Sequence, residues 1–476
     1  MRRIDRRHLL PGAAAFAAAL LVALLGLNAG ANTPGAKPRA GTVQIQLLGV
    51  NDFHGHLEPP EPDLGGAAWL GAWLNRAASS QDDRTIRVHA GDMVGASPLI
   101  SSHWHDLPTI QATNLMGFDV GTLGNHEFDE GGAEMMRLVR QARYPYLAAN
   151  TVDRETGKPI LPPYLVLERA GVKIGFIGVT TTDTPFFLLS QWARQYRWED
   201  ISDTVNKYVP VLQRQGVQAI VVLAHAGAFQ DGDNAAGQVV DEARQMDPAV
   251  DVIVAGHTHS RLDTEVDGKL IVESLSYGVA FERVRMTIDR ATDDVVAKSA
   301  VVLPTRHGGI KPDPDLLTLV DSYKRRVAPL ANRVVGYAPH DLDNEAVDRL
   351  AVKAQRAFTG SDVAFEDSGN TRSDIDAGPI TYSDAFEVQA YEHPLWRLHL
   401  QGSDVLGVMR DQPNLLVDGP PADQIRPDAV YTVAANGILL KRAPFNLPVE
   451  REKVGTDLEA LVAYLGRSNQ GATALR

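Results

Sequence analysis

Five apolar stretches of this chain each run directly into side chains that can ligate a metal. Val43–Val50 leads into Asn51-Asp52-Phe53-His54, Thr85–His89 into Ala90-Gly91-Asp92, and Asp119–Leu123 into Gly124-Asn125-His126-Glu127-Phe128-Asp129. Ala219–Leu223 leads into Ala224-His225, and Asp251–Ala255 into Gly256-His257-Thr258-His259. Carboxylates, an amide and imidazoles without any thiolate suit Mn, Zn, Co or Fe about equally. Two divalent cations a few ångströms apart need several such ligands and one carboxylate able to bridge them. Asp52, His54, Asp92, Asn125, His225, His257 and His259 supply seven residues. With one bridging carboxylate counted twice, each cation has about four protein contacts, and positions remain for a hydroxide and substrate oxygens. His126 is left over. Asp129, three residues on, can hold one of its ring nitrogens, fixing the tautomer while the other faces the substrate.

Strands and helices must deliver these residues to one place. Short β-branched runs at Val43–Val50, Thr85–His89, Ile174–Val179, Ala219–Ala224 and Asp251–Ala255 read as strands. They alternate with helical patterns at Ala67–Ala78, Ala133–Ala142 and Asp203–Gln215, which predicts a layered α/β fold. Strand C-termini in open α/β sheets point into one crevice, so five such ends can surround a common point. Glycines at 91, 124 and 256 are read as permitting the sharp turn from strand to ligand loop. Leu270–Ile288 reads as two or three consecutive strands, so the sheets are expected to be mixed. Asp267-Gly268 and Glu273–Gly278 suggest hairpin geometry beneath the site, and Ser97-Pro98 a turn and helix start. His56 is read as a supporting residue, and His89, His103 and His105 are given no role.

At 476 residues the chain has room for more than one domain. Residues 1–31 read as an export signal: Arg2, Arg3, Arg6 and Arg7 precede an apolar stretch from Ala13 to Leu27, and Ala29-Gly30-Ala31 offers a cleavage site. Arg6-Arg7-His8-Leu9-Leu10 resembles a twin-arginine signal. The expected location is therefore outside the cytoplasm (periplasmic, cell-surface or secreted), with membrane contact only if the segment is retained. A net charge of −13 argues against a nucleic-acid polymer as partner. The absence of cysteine excludes disulfide scaffolds, thiolate zinc sites and a cysteine nucleophile. Pro304–Pro314 and a helical stretch from Leu316 to Leu330 read as a linker and connecting helix, followed by a second mixed α/β region.

Asn51-Asp52-Phe53-His54-Gly55-His56, Gly91-Asp92, Gly124-Asn125-His126-Glu127-Phe128-Asp129, Ala224-His225 and Gly256-His257-Thr258-His259 resemble the motifs of calcineurin-type metallophosphoesterases. Within these the chain is most similar to the secreted 5′-nucleotidase and UDP-sugar hydrolase family. The resemblance implies an αββα-sandwich catalytic domain over 42–303, a linker over 304–335 and a smaller α/β substrate-binding domain over 336–476. It implies two divalent metal ions, one held by Asp52, His54, Asp92 and His259, the other by Asp92, Asn125, His225 and His257. His126 and Asp129 become the dyad at the transferring phosphoryl group. The implied reaction is hydrolysis of nucleoside 5′-monophosphates by in-line attack of a dimetal-bound hydroxide. Alternatives are a 2′,3′-cyclic-nucleotide phosphodiesterase, a nucleotide-sugar hydrolase, another phosphoester hydrolase or a non-catalytic nucleotide-binding protein.

In the C-terminal part, Phe365-Glu366-Asp367-Ser368-Gly369-Asn370-Thr371-Arg372 stands where the family shows a run resembling Asn-Gly-Gly-Gly-Ile-Arg. Arg372 matches its arginine and could pair with phosphate or carboxylate, whereas Asp367 replaces the asparagine and would repel phosphate. Gly378–Glu387 follows the family closely and contains Phe386, and Tyr391 falls where a base-stacking aromatic is expected. Arg372, Asp367, Phe386 and Tyr391 are thus the candidate substrate contacts.

Overall fold

Runs of Val, Ile, Leu and Ala without polar interruption can only be stable as strands covered on both faces, and such strands form the centre of this protein. The computed structural model describes residues 41–368, 371–447 and 449–473, with side chains as far as Arg467. The signal segment, residues 32–40 of the lead-in, and Gly369 and Asn370 of the Phe365–Arg372 run lie outside the described residues. The chain divides near Leu330 into two compact units.

The first unit contains two six-stranded sheets. One is built from β1 (Thr42–Val50), β2 (Thr85–His89), β3 (Val120–Thr122), β4 (Tyr146–Leu147), β11 (Ala280–Asp289) and β12 (Val295–Pro304), in the order β12-β11-β1-β2-β3-β4. The other is built from β5 (Tyr164–Arg169), β6 (Val172–Thr180), β7 (Ala219–His225), β8 (Val252–Ala255), β9 (Arg261–Val266) and β10 (Lys269–Ser274), in the order β9-β10-β8-β7-β6-β5. Strands β1 to β4 are parallel, as are β6, β7, β8 and β10, while the outer pairs are antiparallel. Both sheets are therefore mixed, as the Leu270–Ile288 pattern implies. Asp267 and Gly268, both at positive φ, turn β9 into β10.

The sheets pack face to face, and helices cover their outer sides. Helices α1 (Ala67–Ala78), α2 (Leu107–Met116) and α3 (Gly132–Gln141) belong to the first sheet, and α4 (Ile201–Gln213) and α5 (Gln238–Gln245) to the second. On the second sheet the alternate residues Ile220, Val222 and Ala224 of β7 face Val205, Val209 and Leu212 of α4 and Val239 and Ala243 of α5 in one core. This is the αββα layering expected from the resemblance. Asp200 caps α4 by accepting from the Asp203 N–H.

Much of the segment expected to link the units is not free chain. Helix α6 (Pro314–Ala331) buries Leu316, Val320, Tyr323 and Val327. Tyr323 donates to Gln111 Oε1 at 3.0 Å, and Arg326 lies 4.0 Å from the Trp104 ring centroid. The second unit holds a five-stranded sheet of Val363–Asp367, Pro394–Gln401, Leu415–Asp418, Val430–Asn436 and Arg451–Thr456. Helix Asn344–Thr359 packs against this sheet, Phe365, Leu398, Val433 and Phe445 form its core, and a short helix spans Tyr382–Val388.

Several carboxyl groups are enclosed in the first unit, that of Glu282 among them. Glu282 on β11 is wholly buried opposite Gly49 of β1, and a Cβ on Gly49 would lie 2.2 Å from Glu282 Oε1. Burial raises this carboxyl to about 8. The folded protein therefore binds a proton that the unfolded chain releases near the ordinary glutamate value, so this stability is complete at low pH and is lost as pH rises toward 8. The Glu282→Gln variant should show a smaller change in melting temperature between about pH 5 and pH 8 than wild type, and should melt higher than wild type at pH 8.

Candidate metal centre

The five parallel strands β1, β2, β3, β7 and β8 end on the same rim of the sandwich, and the loops that follow carry all seven candidate ligands. Two groups form. Asp52, His54 and His259 have ligand atoms within 4.8 Å of one another, as do Asp92, His225 and His257. Asp92 Oδ2 lies 3.0 Å from His225 Nε2 and 3.7 Å from His54 Nε2, so one carboxylate faces both groups. His54 Nε2 is 3.1 Å from His259 Nε2, and His259 Nε2 is 3.4 Å from Asp52 Oδ1. Asn125 Oδ1 is 3.0 Å from His225 Nε2.

The proton inventory shows what this arrangement requires. His225 Nδ1 lies 2.8 Å from the Ala90 carbonyl and His54 Nδ1 2.8 Å from the Gly95 carbonyl. A carbonyl can only accept, so each Nδ1 carries the hydrogen and each neutral ring turns an Nε2 lone pair inward. At His225 that lone pair meets the oxygens of Asp92 and Asn125, and Asp52 Oδ1 is buried with no hydrogen-bond donor. Acceptors facing acceptors are stable only around a proton or a cation. In the bare protein the proton takes that place: burial opposes it, but Asp92 raises His225 to about 10. Asp52 is held at about 2 against the effect of burial, by His259 and His225. The donor chemistry therefore fits two divalent cations sharing Asp92.

His126 stands apart from both groups. Its Nδ1 is 2.8 Å from Asp129 Oδ2, and its ring lies 5.0 Å from that of His54. The His126 backbone N–H donates to Asp92 Oδ1 at 2.8 Å, which ties the dyad to the shared carboxylate.

The description calcineurin-like phosphoesterase matches residues 45–261, and 5′-nucleotidase, C-terminal domain matches residues 334–428. Residues 45–261 are thus a calcineurin-like phosphoesterase domain and residues 334–428 belong to a 5′-nucleotidase C-terminal domain. It is 31% identical to endonuclease YhcR of Bacillus subtilis, over 89% of this chain and 40% of that protein. It is 34% identical to cell wall protein Lmo0130 of Listeria monocytogenes, over 83% of this chain and 59% of that protein. The chain thus spans less than two thirds of either relative. The crystal structure of a 5′-nucleotidase precursor from Thermus thermophilus superposes with a TM-score of 0.74 at 23% identity, covering 89% of this chain and 96% of that one, and shows the shared fold.

Backbone strain in the phosphoesterase domain is concentrated at the centre. Five of the seven candidate ligands, Asp52, His54, Asp92, His257 and His259, have positive φ. The glycines act differently from the expectation that all three make turns: of Gly91, Gly124 and Gly256, Gly91 alone has positive φ. Gly124 is required by close approach, because a Cβ there would lie 2.1 Å from Asp92 Oδ1.

His56 is read from the sequence as a supporting residue, whereas no bracing role for Glu127, Asn51, Glu273 or His89 follows from it. Glu127 accepts three backbone N–H groups, from Asp92 (3.0 Å), Met93 (2.9 Å) and Gly124 (2.6 Å). Asn51 accepts from Ser274 N–H and Oγ while donating to Asp52 Oδ2 and the Leu275 carbonyl, so it joins the two sheets under the site. Glu273 accepts from Thr258 Oγ1 and Ser260 N–H, fixing the His257-Thr258-His259 turn. His89, kept neutral because burial lowers it to about 3, accepts the Gly91 N–H at 3.3 Å. His56 stacks on Tyr277 at 4.0 Å. No local signal in the sequence marks these braces, since Glu127 stands among Asn125, His126 and Asp129, and Asn51 stands beside Asp52.

In the 5′-nucleotidase C-terminal domain two of the four candidate contacts meet. Arg372 donates to the Tyr391 hydroxyl, and its guanidinium lies 5.2 Å from the ring centroid. Asp367 is paired with Arg442 at 2.7 Å, a partner far away in sequence that offsets the charge expected to repel phosphate. Phe386 is 1% exposed, so its ring packs in the interior and offers no face to a ligand.

The shared carboxylate makes a stoichiometric prediction. Asp92→Asn should lose both bound cations together and His259→Ala only one, as counted by elemental analysis after metal loading. Glu127→Ala, which touches no candidate ligand atom directly, should weaken metal affinity by roughly 10- to 100-fold in calorimetric titration.

Proposed function

We propose that this chain is an exported, dimetal phosphohydrolase that converts nucleoside 5′-monophosphates to nucleoside and inorganic phosphate. The observation that carries the reading is Asp92 Oδ2 facing the imidazoles of both ligand groups, with the His126–Asp129 pair tied to the same carboxylate. Asp52, His54, Asp92 and His259 would hold one cation, and Asp92, Asn125, His225 and His257 the other. Such a pair supplies an activated water and neutralises phosphoryl charge.

The chain's own residues supply the rest. His126 donates its Nδ1 hydrogen to Asp129, which leaves Nε2 to contact the phosphoryl oxygens or the leaving oxygen. A protonated His126 stabilises charge that develops there, while Asp129 holds the ring in orientation. Arg372 and Tyr391 are proposed as nucleoside contacts, with Tyr391 offering a stacking face. Residues 1–31 are proposed as the export signal, 42–303 as the catalytic domain, 304–335 as the connection and 336–476 as the substrate-binding domain. Among the described residues no helix is long and apolar enough to cross a membrane. The cell-wall name of one relative and the precursor description of another support export.

Organic products and released phosphate should both be measured from AMP, a 2′,3′-cyclic nucleotide, a nucleotide sugar and ribose 5-phosphate, with protein reloaded with Mn, Zn, Co or Fe. The reading expects AMP to be the preferred substrate and chelator to abolish turnover. Preference for another member of the panel would reassign the substrate, and metal-loaded protein that cleaves none would end the proposal. His126→Ala should lower kcat by about 100- to 1,000-fold with both cations still bound. Parallel loss of metal and activity would make His126 a ligand instead.

A further inference from the structure

A single peptide group touches both parts of the chemistry. The Gly95 carbonyl accepts from Nδ1 of the candidate ligand His54 at 2.8 Å, and the Ala96 N–H donates to Asp129 Oδ2 at 3.2 Å. That same Asp129 oxygen lies 2.8 Å from His126 Nδ1. The Gly95 carbonyl and the Ala96 N–H belong to one planar unit, so neither can be adjusted without the other. A ligand of the first group and the acid of the dyad are therefore oriented by the two edges of one rigid plane.

That peptide is held in place against strain. Gly95 and Ala96 both have positive φ, 83° and 47°, and a Cβ on Gly95 would lie 2.3 Å from the His126 carbonyl oxygen. The restraint comes from Asp106, which is 6% exposed. Its carbonyl accepts from the Thr109 and Ile110 N–H groups at 3.1 and 3.2 Å, which makes it the N-cap of α2. An N-cap aspartate ordinarily turns its carboxylate onto the first N–H groups of its helix. Asp106 does not: it makes no side-chain cap, and its Oδ2 accepts from the Gly95 N–H at 3.1 Å. Its φ of 55°, after 49° at His105, is a conformation that residues other than glycine seldom adopt. The helix behind it is fixed in turn, since Tyr144 donates to Thr113 Oγ1 at 3.0 Å and Tyr323 to Gln111 Oε1.

We infer that Asp106 is a positioning residue that sets where His54 stands relative to the His126–Asp129 pair. It acts through the Gly95–Ala96 peptide. The part that concerns the dyad rests on the phosphohydrolase reading above, whereas the part that concerns His54 rests on the ligand geometry. Without the bond from the Gly95 N–H, the turn can relax its two positive φ angles, and both edges of the peptide move together. His54 then loses the acceptor that aims its Nε2 at the first group, and Asp129 loses the donor that holds the oxygen facing His126. The cation site affected is the one formed by Asp52, His54, Asp92 and His259, since no residue of the turn bonds to His225 or His257 among the described contacts.

The test uses two variants of the full chain. Asp106→Ser removes the carboxylate from Gly95 but leaves a hydroxyl able to cap α2, which separates positioning from folding. Asp106→Asn keeps an oxygen for the Gly95 N–H. In calorimetric titration with Zn, the binding event that disappears in His259→Ala should weaken about tenfold in Asp106→Ser, and the other event should not change. With both cations saturating, kcat on AMP should fall about tenfold in Asp106→Ser at unchanged KM. Asp106→Asn should keep the wild-type values in both measurements. Equal weakening of the two binding events, wild-type behaviour of Asp106→Ser in either measurement, or losses in Asp106→Asn that match those in Asp106→Ser would each overturn the assignment. Metal-loaded wild-type protein that cleaves no phosphoester would instead overturn the phosphohydrolase reading, and the titration would still decide whether Asp106 positions His54.

Discussion

Oxygen and nitrogen acceptors gathered in a buried space repel one another, and the first unit holds seven candidate ligands at one rim against that repulsion. Five of them sit at positive φ, where an L residue costs of order 1 kcal/mol or more. Neither the strain nor the repulsion would persist in a loop free to relax. What prevents relaxation is a set of hydrogen bonds made by residues that are not themselves candidate ligands. Glu127 gathers the N–H groups of two ligand loops on one carboxyl, Glu273 does the same for the histidine turn, and Asn51 ties β1 to the residues that follow β10.

The double sheet follows from the same constraint. One parallel sheet can present a single row of strand ends, with ligands along a line. Two sheets packed face to face bring a second row opposite the first, and the ligands then surround a volume. The join is made at the ligand end. The His225 Nδ1 hydrogen goes to the Ala90 carbonyl, Thr180 Oγ1 donates to the Leu123 carbonyl, and Ser274 donates to Asn51, each bond passing from one sheet to the other. The bonds that orient the imidazoles are thus partly the bonds that hold the sandwich together, and a change that loosens the sheet packing there also misdirects a lone pair.

Legibility in the sequence follows burial on two sides. Stretches such as Ala219–Ala224 and Val252–Ala255 are readable because both faces are covered and every residue is apolar, and the ligand loops are readable because each follows a strand pattern. The short helical turns at Leu99–Ser102, Thr184–Phe187 and Ser190–Ala193 carry little periodic signal, since four residues define no face and their conformation is set by neighbours distant in the chain. The braces are hidden for a related reason. Nothing local to Glu127 states that its three donors come from positions 92, 93 and 124, and nothing near Asp367 announces Arg442. Phe386 shows the converse hazard. A motif position can match in residue type while the short helix that carries it turns the ring into the core.

The carboxyl groups around the centre divide by what each faces. Asp52 and Asp92 face imidazoles and lie below the ordinary carboxylate range despite burial. Glu127, Glu273 and Glu282 are raised to about 8, by burial in each case and then, for Glu127 and Glu273, by the negative charge of Asp92 and Asp52 respectively. Near neutral pH the site is therefore lined by two charged carboxylates and backed by three largely neutral acids. Two dications against two carboxylates would leave about two positive charges unbalanced, which complements a phosphate dianion. Had the three supporting acids been ionised as well, five negative charges would face the four positive charges of two dications, and the attraction for substrate would be lost. The bracing residues thus work as hydrogen-bond acceptors for the loops while adding little charge to the pocket, and burial is what allows both.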